Sequence, residues 1–156
     1  VELDEVYTPI HVHSRRLIPD SEGAGRFRGA NGIAVEYGPH DCRMEAGFVA
    51  DGNIHVPRGA RAGHDAARSD QFRITRQGER ERLDQCSQVW VEDGERLLSI
   101  AAGGGGYGDP RTREPARVAR DVAEGLVTPQ RARTVYAVAV SADGTVDESE
   151  TARLRA

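Results

Sequence analysis

The chain has 156 residues, 38% of them apolar and 29% charged, with a net charge of −4, enough for one domain that buries roughly 70% of the surface its unfolded chain exposes. The acidic balance and the scatter of the basic residues exclude a sequence-independent nucleic-acid binder, which needs a concentrated basic face, and no apolar run approaches the roughly 18 residues of a membrane span. All 21 basic residues are arginine, which removes Schiff-base chemistry and the phosphate-gripping lysine of a P-loop.

Ile10, Val12 and Ser14 alternate with His11, His13 and Arg15, the period-two pattern of a strand. Leu17 and Ile18 lead into a turn cluster, Pro19-Asp20-Ser21-Glu22-Gly23-Ala24-Gly25. Further strands are predicted at Ile33 to Tyr37, Arg43 to Val49, Gln71 to Thr75, Gln88 to Val91 and Leu97 to Ala101. Their shortness, and the Gly-, Asp- and Arg-rich loops between them, predict a small sandwich or barrel. The segment Gly52 to Ser69, with Pro57, Gly59, Gly63 and His64, shows neither period and is too long for a hairpin loop. It is expected to be functional or buried against a partner.

Gly103-Gly104-Gly105-Gly106-Tyr107-Gly108-Asp109-Pro110 satisfies G-x-G-x-x-G at Gly103, Gly105 and Gly108 and follows a predicted strand. A dinucleotide site needs the last glycine to open directly into a helix whose amides hold the pyrophosphate. Here Asp109-Pro110 intervenes and no helix can begin before about Pro115, so the nucleotide reading fails. Ordering four successive glycines costs backbone entropy. They imply a tight surface turn, or a close approach of main chain to main chain or to a ligand.

Pro115 suits a first helical position, Val118, Val122 and Leu126 form an apolar stripe, and Gly125 suits the helix end. Thr128-Pro129 opens a second helix by the same logic. Tyr136 to Val140 reads as a strand, Asp143-Gly144 as a hairpin turn, and Asp147 with Glu150 as a capping box opening a C-terminal helix. The expected class is α+β: a mainly antiparallel sandwich or barrel-like part over 1–108, ending in the glycine-rich loop. Two short helices, a β-hairpin and a C-terminal helix follow over 109–156, packed on the same domain or on a partner subunit.

Candidate chemistry is sparse. His11 and His13 share a strand face, and His40 and Cys42 from the next hairpin would complete a tetrahedral N and S set. No Cys-x-x-Cys pair accompanies them, so solvated histidines and no metal are expected. Cys42 and Cys86 are expected to be buried thiols rather than a disulfide, and neither they nor Ser21 sit in a nucleophile elbow. Asp20 is expected to cap a turn and Asp109 to cap or bridge the loop before Pro110; Tyr107 is the third polar residue of these motifs. No catalytic residue is assigned. The chain carries no signal-peptide pattern at its start and is expected to be cytoplasmic.

Four motifs carry a resemblance. Pro19-Asp20-Ser21 with Gly23-Ala24-Gly25-Arg26-Phe27-Arg28-Gly29 and Asn31-Gly32 come first, then Gly103 to Pro110. Val118-Ala119-Arg120-Asp121-Val122 with Gly125 to Pro129 and Ala132-Arg133 follow, and Tyr136-Ala137-Val138 precedes Asp143 to Asp147. In this order, from about Tyr7 to Leu154, they resemble the C-terminal region of the hydantoinase B / 5-oxoprolinase family, with only Gly38 to Gln88 unaligned.

The resemblance implies work beside an ATP-binding, kinase-like partner that phosphorylates a carbonyl oxygen, the B component taking part in hydrolysis or carboxylation. Members of the family are several times longer, so the expectation is a stand-alone small subunit, not catalytic alone. Its first reading is a structural subunit of an ATP-dependent ketone carboxylase, most like the acetophenone enzyme. The alternatives are a split N-methylhydantoinase or 5-oxoprolinase component hydrolysing a cyclic amide, and a free-standing binding module.

The resemblance also implies a hetero-oligomer with larger hydantoinase A-like and hydantoinase B-like subunits. ATP and Mg belong on the kinase-like partners and no cofactor on this chain. The turn residues Asp20, Ser21, Gly25, Arg26, Arg28 and Gly29 are its motif, and Gly103, Gly104, Gly105, Gly106, Tyr107, Gly108 and Asp109 are its loop near a partner or ligand.

Overall fold

The structure, a computed structural model, describes residues 1–156. They form two compact units that alternate along the chain: Val1–Arg16, Ile33–His55 and Arg68–Ala101 make a sheet unit, and Leu17–Gly32, Val56–Ala67 and Ala102–Ala156 make a second unit. No helix is long and apolar enough to cross a membrane.

The sheet unit starts with a short helix, α1 (Glu2–Tyr7), which has no buried residue. Acidic side chains in its first turn, Glu2, Asp4 and Glu5, complement the helix dipole. The strands are β1 (Ile10–Leu17), β2 (Ile33–Pro39), β3 (Met44–Val49), β4 (Asp70–Ile74), β5 (Arg80–Arg82), β6 (Cys86–Val91) and β7 (Arg96–Ile100). Five of them form one sheet in the order β1-β2-β7-β4-β5. It is open, with edges at β1 and β5, so the barrel alternative is not realised.

β7 is central and antiparallel to both neighbours, with Leu98 opposite Glu36 on β2 and Phe72 on β4. A strand covered on both edges suits a continuous apolar run, and Leu97 and Leu98 are buried. β3 and β6 pair only with each other, with Glu45 opposite Trp90 and Val49 opposite Cys86. Alternation gives this ribbon one sheltered face and one exposed face. Cys86 lies on the exposed face and Cys42 is half-buried. The expectation of buried thiols is therefore wrong: strand parity, rather than the usual preference of cysteine, decides where Cys86 points.

The second unit has a core of Ala24, Val118, Val127, Ala132, Tyr136 and Val138. α2 (Pro115–Ala123) contributes Val118 from its apolar stripe, and its chain turns away at Gly125, φ 69°. α3 (Pro129–Thr134) is capped by Thr128, whose hydroxyl accepts from Arg131 N at 3.1 Å. α4 (Glu148–Arg155) is capped by Asp147, which accepts from Glu150 N at 2.9 Å. The Glu150 carboxylate pairs with Arg133 and Arg153 instead of closing a capping box.

Tyr136 to Val140 is not a strand. Ala137 at φ 52° interrupts the extension, and only Val140 is bridged, to Val146. The Asp143-Gly144 turn forms as expected, with Gly144 at φ 85° and Gly144 N donating to Ser141 O at 2.9 Å. The run is apolar because Tyr136 and Val138 fill the core.

Candidate functional site

The glycine run crosses the second unit between two loops, 21–30 and 58–67. It is no surface turn. Gly104 N donates to Ala30 O at 2.8 Å and Tyr107 N to Phe27 O at 2.9 Å on one side; on the other, Gly103 N donates to Ala67 O at 3.2 Å, Gly106 N to His64 O at 3.0 Å and Gly108 N to Ala60 O at 3.0 Å. Carbonyls return the pattern: Gly104 O accepts from Gly23 N at 2.8 Å and Gly106 O from Ala60 N at 2.9 Å. The amides of Gly103, Gly104, Gly106, Tyr107 and Gly108 are thus paired without a helix or a regular ladder.

The three segments approach so closely that side chains are excluded. A Cβ on Gly105 would lie 2.1 Å from Arg58 O, on Gly106 2.0 Å from Ala24 O, and on Gly29 1.8 Å from Gly104 O. Main chain against main chain accounts for the glycines. It also explains the aperiodic segment Gly52 to Ser69, half of which is the second wall of the crossing.

Buried charges brace this arrangement. Asp121 on α2 sits between two guanidiniums, with Arg28 Nε 2.9 Å from Oδ1 and Arg113 Nη2 2.9 Å from Oδ2. Arg113 Nη1 also donates to Arg26 O at 3.1 Å, and Arg28 Nη1 donates to Gly29 O at 2.9 Å and Asn31 Oδ1 at 3.1 Å. Glu22, whose side chain is fully buried, accepts through Oε1 from Arg131 Nε at 2.8 Å and Tyr136 Oη at 2.9 Å. Burial and the Glu22 carboxylate push the Tyr136 phenol well above its ordinary pKa.

The motif residues are joined in the same way. Ser21 Oγ donates to Ile18 O at 2.6 Å and accepts from Gly32 N at 2.8 Å. Asn31 Nδ2 donates to Ile18 O at 2.8 Å and Leu126 O at 2.7 Å. Asp20, at φ 61°, accepts from Thr128 N and Thr128 Oγ1 at 2.7 Å each, so it holds the cap residue of a distant helix. Asp109 accepts from Arg111 N at 2.8 Å and caps the 3-10 turn Pro110–Thr112. Gly25 is buried, Arg26 is exposed, and Tyr107 is 47% exposed at the end of the crossing.

Sequence reasoning placed Glu22, Asp121 and Tyr136 inside its motifs without giving them the task of joining the loops, and missed Arg113 and Arg131. The signals for Asp121 were its place in the Val118 to Val122 motif and beside the apolar stripe of α2.

The candidate ligands His11, His13 and His40 belong to the sheet unit. The His11 and His13 rings lie 4.7 Å apart, edge to face, in a shallow groove also lined by His40, Asp93, Glu95 and Arg96. Burial, then His11 and Arg96, hold the His13 imidazole below its usual pKa. Cys42 is not among the lining residues; its thiol points at Pro9 O, 3.7 Å away. No three His, Cys, Asp or Glu side chains converge as a metal site.

Residues 1–110 match the family described as hydantoinase B/oxoprolinase. The chain is 34% identical, over 100% of its length, to the caprolactamase subunit beta of Pseudomonas jessenii, of which it spans 28%. The crystal structure of the ATP-dependent caprolactamase from Pseudomonas jessenii superposes with a TM-score of 0.84 at 31% identity, covering 99% of this chain and 28% of that one. Over 60 residues, 38% of this chain and 9% of the relative, it is 44% identical to the acetophenone carboxylase delta subunit of Aromatoleum aromaticum. The chain thus spans less than a third of each relative's length.

Proposed function

The chain belongs to the hydantoinase B/oxoprolinase family, and on that premise we propose that it serves an ATP-dependent enzyme that opens the ring of a cyclic amide. Its part is to supply the glycine-crossed scaffold of a hydantoinase B-type component. The observation that carries this reading is the extent of the likeness to caprolactamase, 34% identity across the full chain and a TM-score of 0.84, which takes in both units rather than one motif.

In this reading a kinase-like partner holds ATP and Mg and phosphorylates the amide oxygen. Water then attacks the activated carbon and the ring C–N bond breaks, with the proton going to nitrogen. A second water releases phosphate from the resulting acyl phosphate, so that cyclic amide, two waters and ATP give the open amino acid, ADP and phosphate. An amide resists hydrolysis because its nitrogen donates into the carbonyl; phosphate on the oxygen draws electrons from the carbon and turns that oxygen into a group that can leave. The buried ionic side chains that brace the crossing are paired with one another, as Asp121 is with Arg28 and Arg113, which suits a scaffold rather than an acid or base.

A second reading, a subunit of an ATP-dependent ketone carboxylase, is favoured by the 44% identity to the acetophenone carboxylase delta subunit over 60 residues. Native purification followed by mass spectrometry of the co-eluting chains, and assay of the intact assembly, separates the two. Ring opening is expected: ADP and an amino acid form from ATP with a lactam, 5-oxoproline or a hydantoin. ADP formation only with a ketone and bicarbonate, with a carboxylated product, would replace the first reading by the second.

A further inference from the structure

Three features meet at one end of the glycine crossing, and the side chains involved are not used by the network that holds the crossing together. The first is a pair of aromatic rings, Phe27 and Tyr107, 54% and 47% exposed. Their main chains pair across an isolated antiparallel bridge, with hydrogen bonds of 3.0 and 2.9 Å, and their ring centroids are 6.4 Å apart. The main chains beneath them pass so closely that a Cβ on Gly25 would lie 2.6 Å from Tyr107 N. Two large rings are therefore held out in solvent at a set spacing.

The second feature is uncompensated charge. The Arg26 guanidinium lies 5.7 Å from the Phe27 ring centroid, and Arg58 and Arg61 flank Gly59-Ala60, with Ala60 bridged to Tyr107. All three arginines are exposed and their side chains make no ion pair or hydrogen bond. Arg28, Arg113 and Arg131 of the same unit are each paired with a carboxylate.

The third feature is strain. Arg61 and Ala62 both have positive φ, 49° and 67°, in a turn closed by Gly63 N donating to Ala60 O at 2.9 Å. A turn of this kind ordinarily takes Asn-Gly, because a Cβ is disfavoured at both central positions. Such strain persists only where the surroundings enforce it, and it concentrates at binding surfaces. Here the crossing enforces it and Arg61 stands at the tip.

We propose that this face, built from Arg26, Phe27, Arg58, Arg61 and Tyr107, docks a carboxylate-bearing segment of a partner protein chain. Fixed aromatics beside arginine are the composition of interface hot spots. A guanidinium fork takes a carboxylate through two parallel hydrogen bonds, and the flanking rings displace water and so strengthen that attraction. Three positive charges left unpaired in a chain of net charge −4 select an acidic partner. The proposal rests on the reading that the chain works inside a larger assembly and names a surface by which it is held.

The test is an arginine footprint on the natively purified assembly. Phenylglyoxal modification is followed by mass spectrometry, with the exposed Arg117 and Arg120 of α2 as internal controls. Arg26, Arg58 and Arg61 are expected to react at least tenfold more slowly than the controls, and to recover on addition of molar salt. In the co-expressed assembly, Arg26→Glu and Arg61→Glu should each weaken retention of the chain at least tenfold, whereas Arg61→Lys keeps part of it.

Equal reactivity of all five arginines would overturn the proposal, as would unaltered retention of both charge reversals. Protection that appears only when inorganic phosphate is added to the desalted assembly would also overturn it, marking a small-anion site. Elution of the native chain alone would do the same. Ring opening by an assembly with reactive Arg26 and Arg61 would sink the docking face but not the enzyme reading, and protection in an assembly without ring opening would do the reverse.

Discussion

Asp20 and Thr128 stand 108 residues apart, yet both oxygens of the Asp20 carboxylate accept from Thr128, Oδ1 from the amide and Oδ2 from the hydroxyl, each at 2.7 Å. The motif turn thereby reaches across the unit to the start of α3. Asp20→Ala removes both acceptors and puts alanine at φ 61°, a conformation aspartate tolerates better. The expected loss is about 2 kcal/mol, read as a lower urea midpoint, with Asp20→Asn losing less than half of that.

Substitution of glycines should divide sharply by position. Gly29→Ala and Gly105→Ala place a methyl 1.8 and 2.1 Å from carbonyl oxygens and should cost about 3 kcal/mol or more, with loss of cooperative unfolding. Gly47→Ala, with nothing within 4 Å of the new Cβ, should leave the urea midpoint unchanged or slightly raised. Equal effects at Gly47 and Gly105 would refute the close crossing.

Asp121→Asn leaves two guanidiniums buried beside a neutral amide. Removing one partner from a buried charge cluster costs about 3–5 kcal/mol, and the loss should be visible by thermal unfolding. Arg28→Met with Asp121 intact should cost less, because Arg113 still pairs with Asp121 Oδ2 at 2.9 Å.

The Tyr136 phenol has a pKa raised above its unfolded value by burial and by Glu22. Its contribution is therefore fully present below about pH 10 and is lost as pH rises beyond that, since the unfolded chain then releases a proton that the folded chain keeps. Unfolding temperatures measured from pH 8 to 11 should fall with a slope that Tyr136→Phe reduces. The variant should also lose about 1 kcal/mol at pH 7 with the hydrogen bond to Glu22. An unchanged slope in Tyr136→Phe would exclude Tyr136 as its source.

Local patterns in the chain carried much of the fold. Period-two alternation from Ile10, the apolar Leu97 and Leu98, and proline after a capping residue at Thr128 each mark an element that forms where expected. What stayed hidden depends on partners distant in sequence. The run Tyr136 to Val140 has strand composition, but an apolar run says only that residues are buried, and here they fill a core without a ladder. α1 spans six residues and buries none of them, so it leaves no periodic stripe to read. In the candidate site, the four glycines announced a close approach, but the walls they pass between lie far upstream, in loops 21–30 and 58–67, and are invisible to any local pattern. Glu22 and Asp121 are two among 25 acidic residues; only the packed structure distinguishes a buried carboxylate from a solvated one.

The crossing also dictates an order of events during synthesis. Loop 21–30 and loop 58–67 leave the ribosome well before Gly103 to Gly108, and each gains several of its backbone hydrogen bonds only when that last segment arrives. Contacts so distant in sequence are slow to close. Until residue 108 has emerged, the growing chain carries unpaired backbone in two places, the condition that invites chaperones or mispairing. The segment that is the plainest in composition is thus the one whose arrival commits the unit to its native structure.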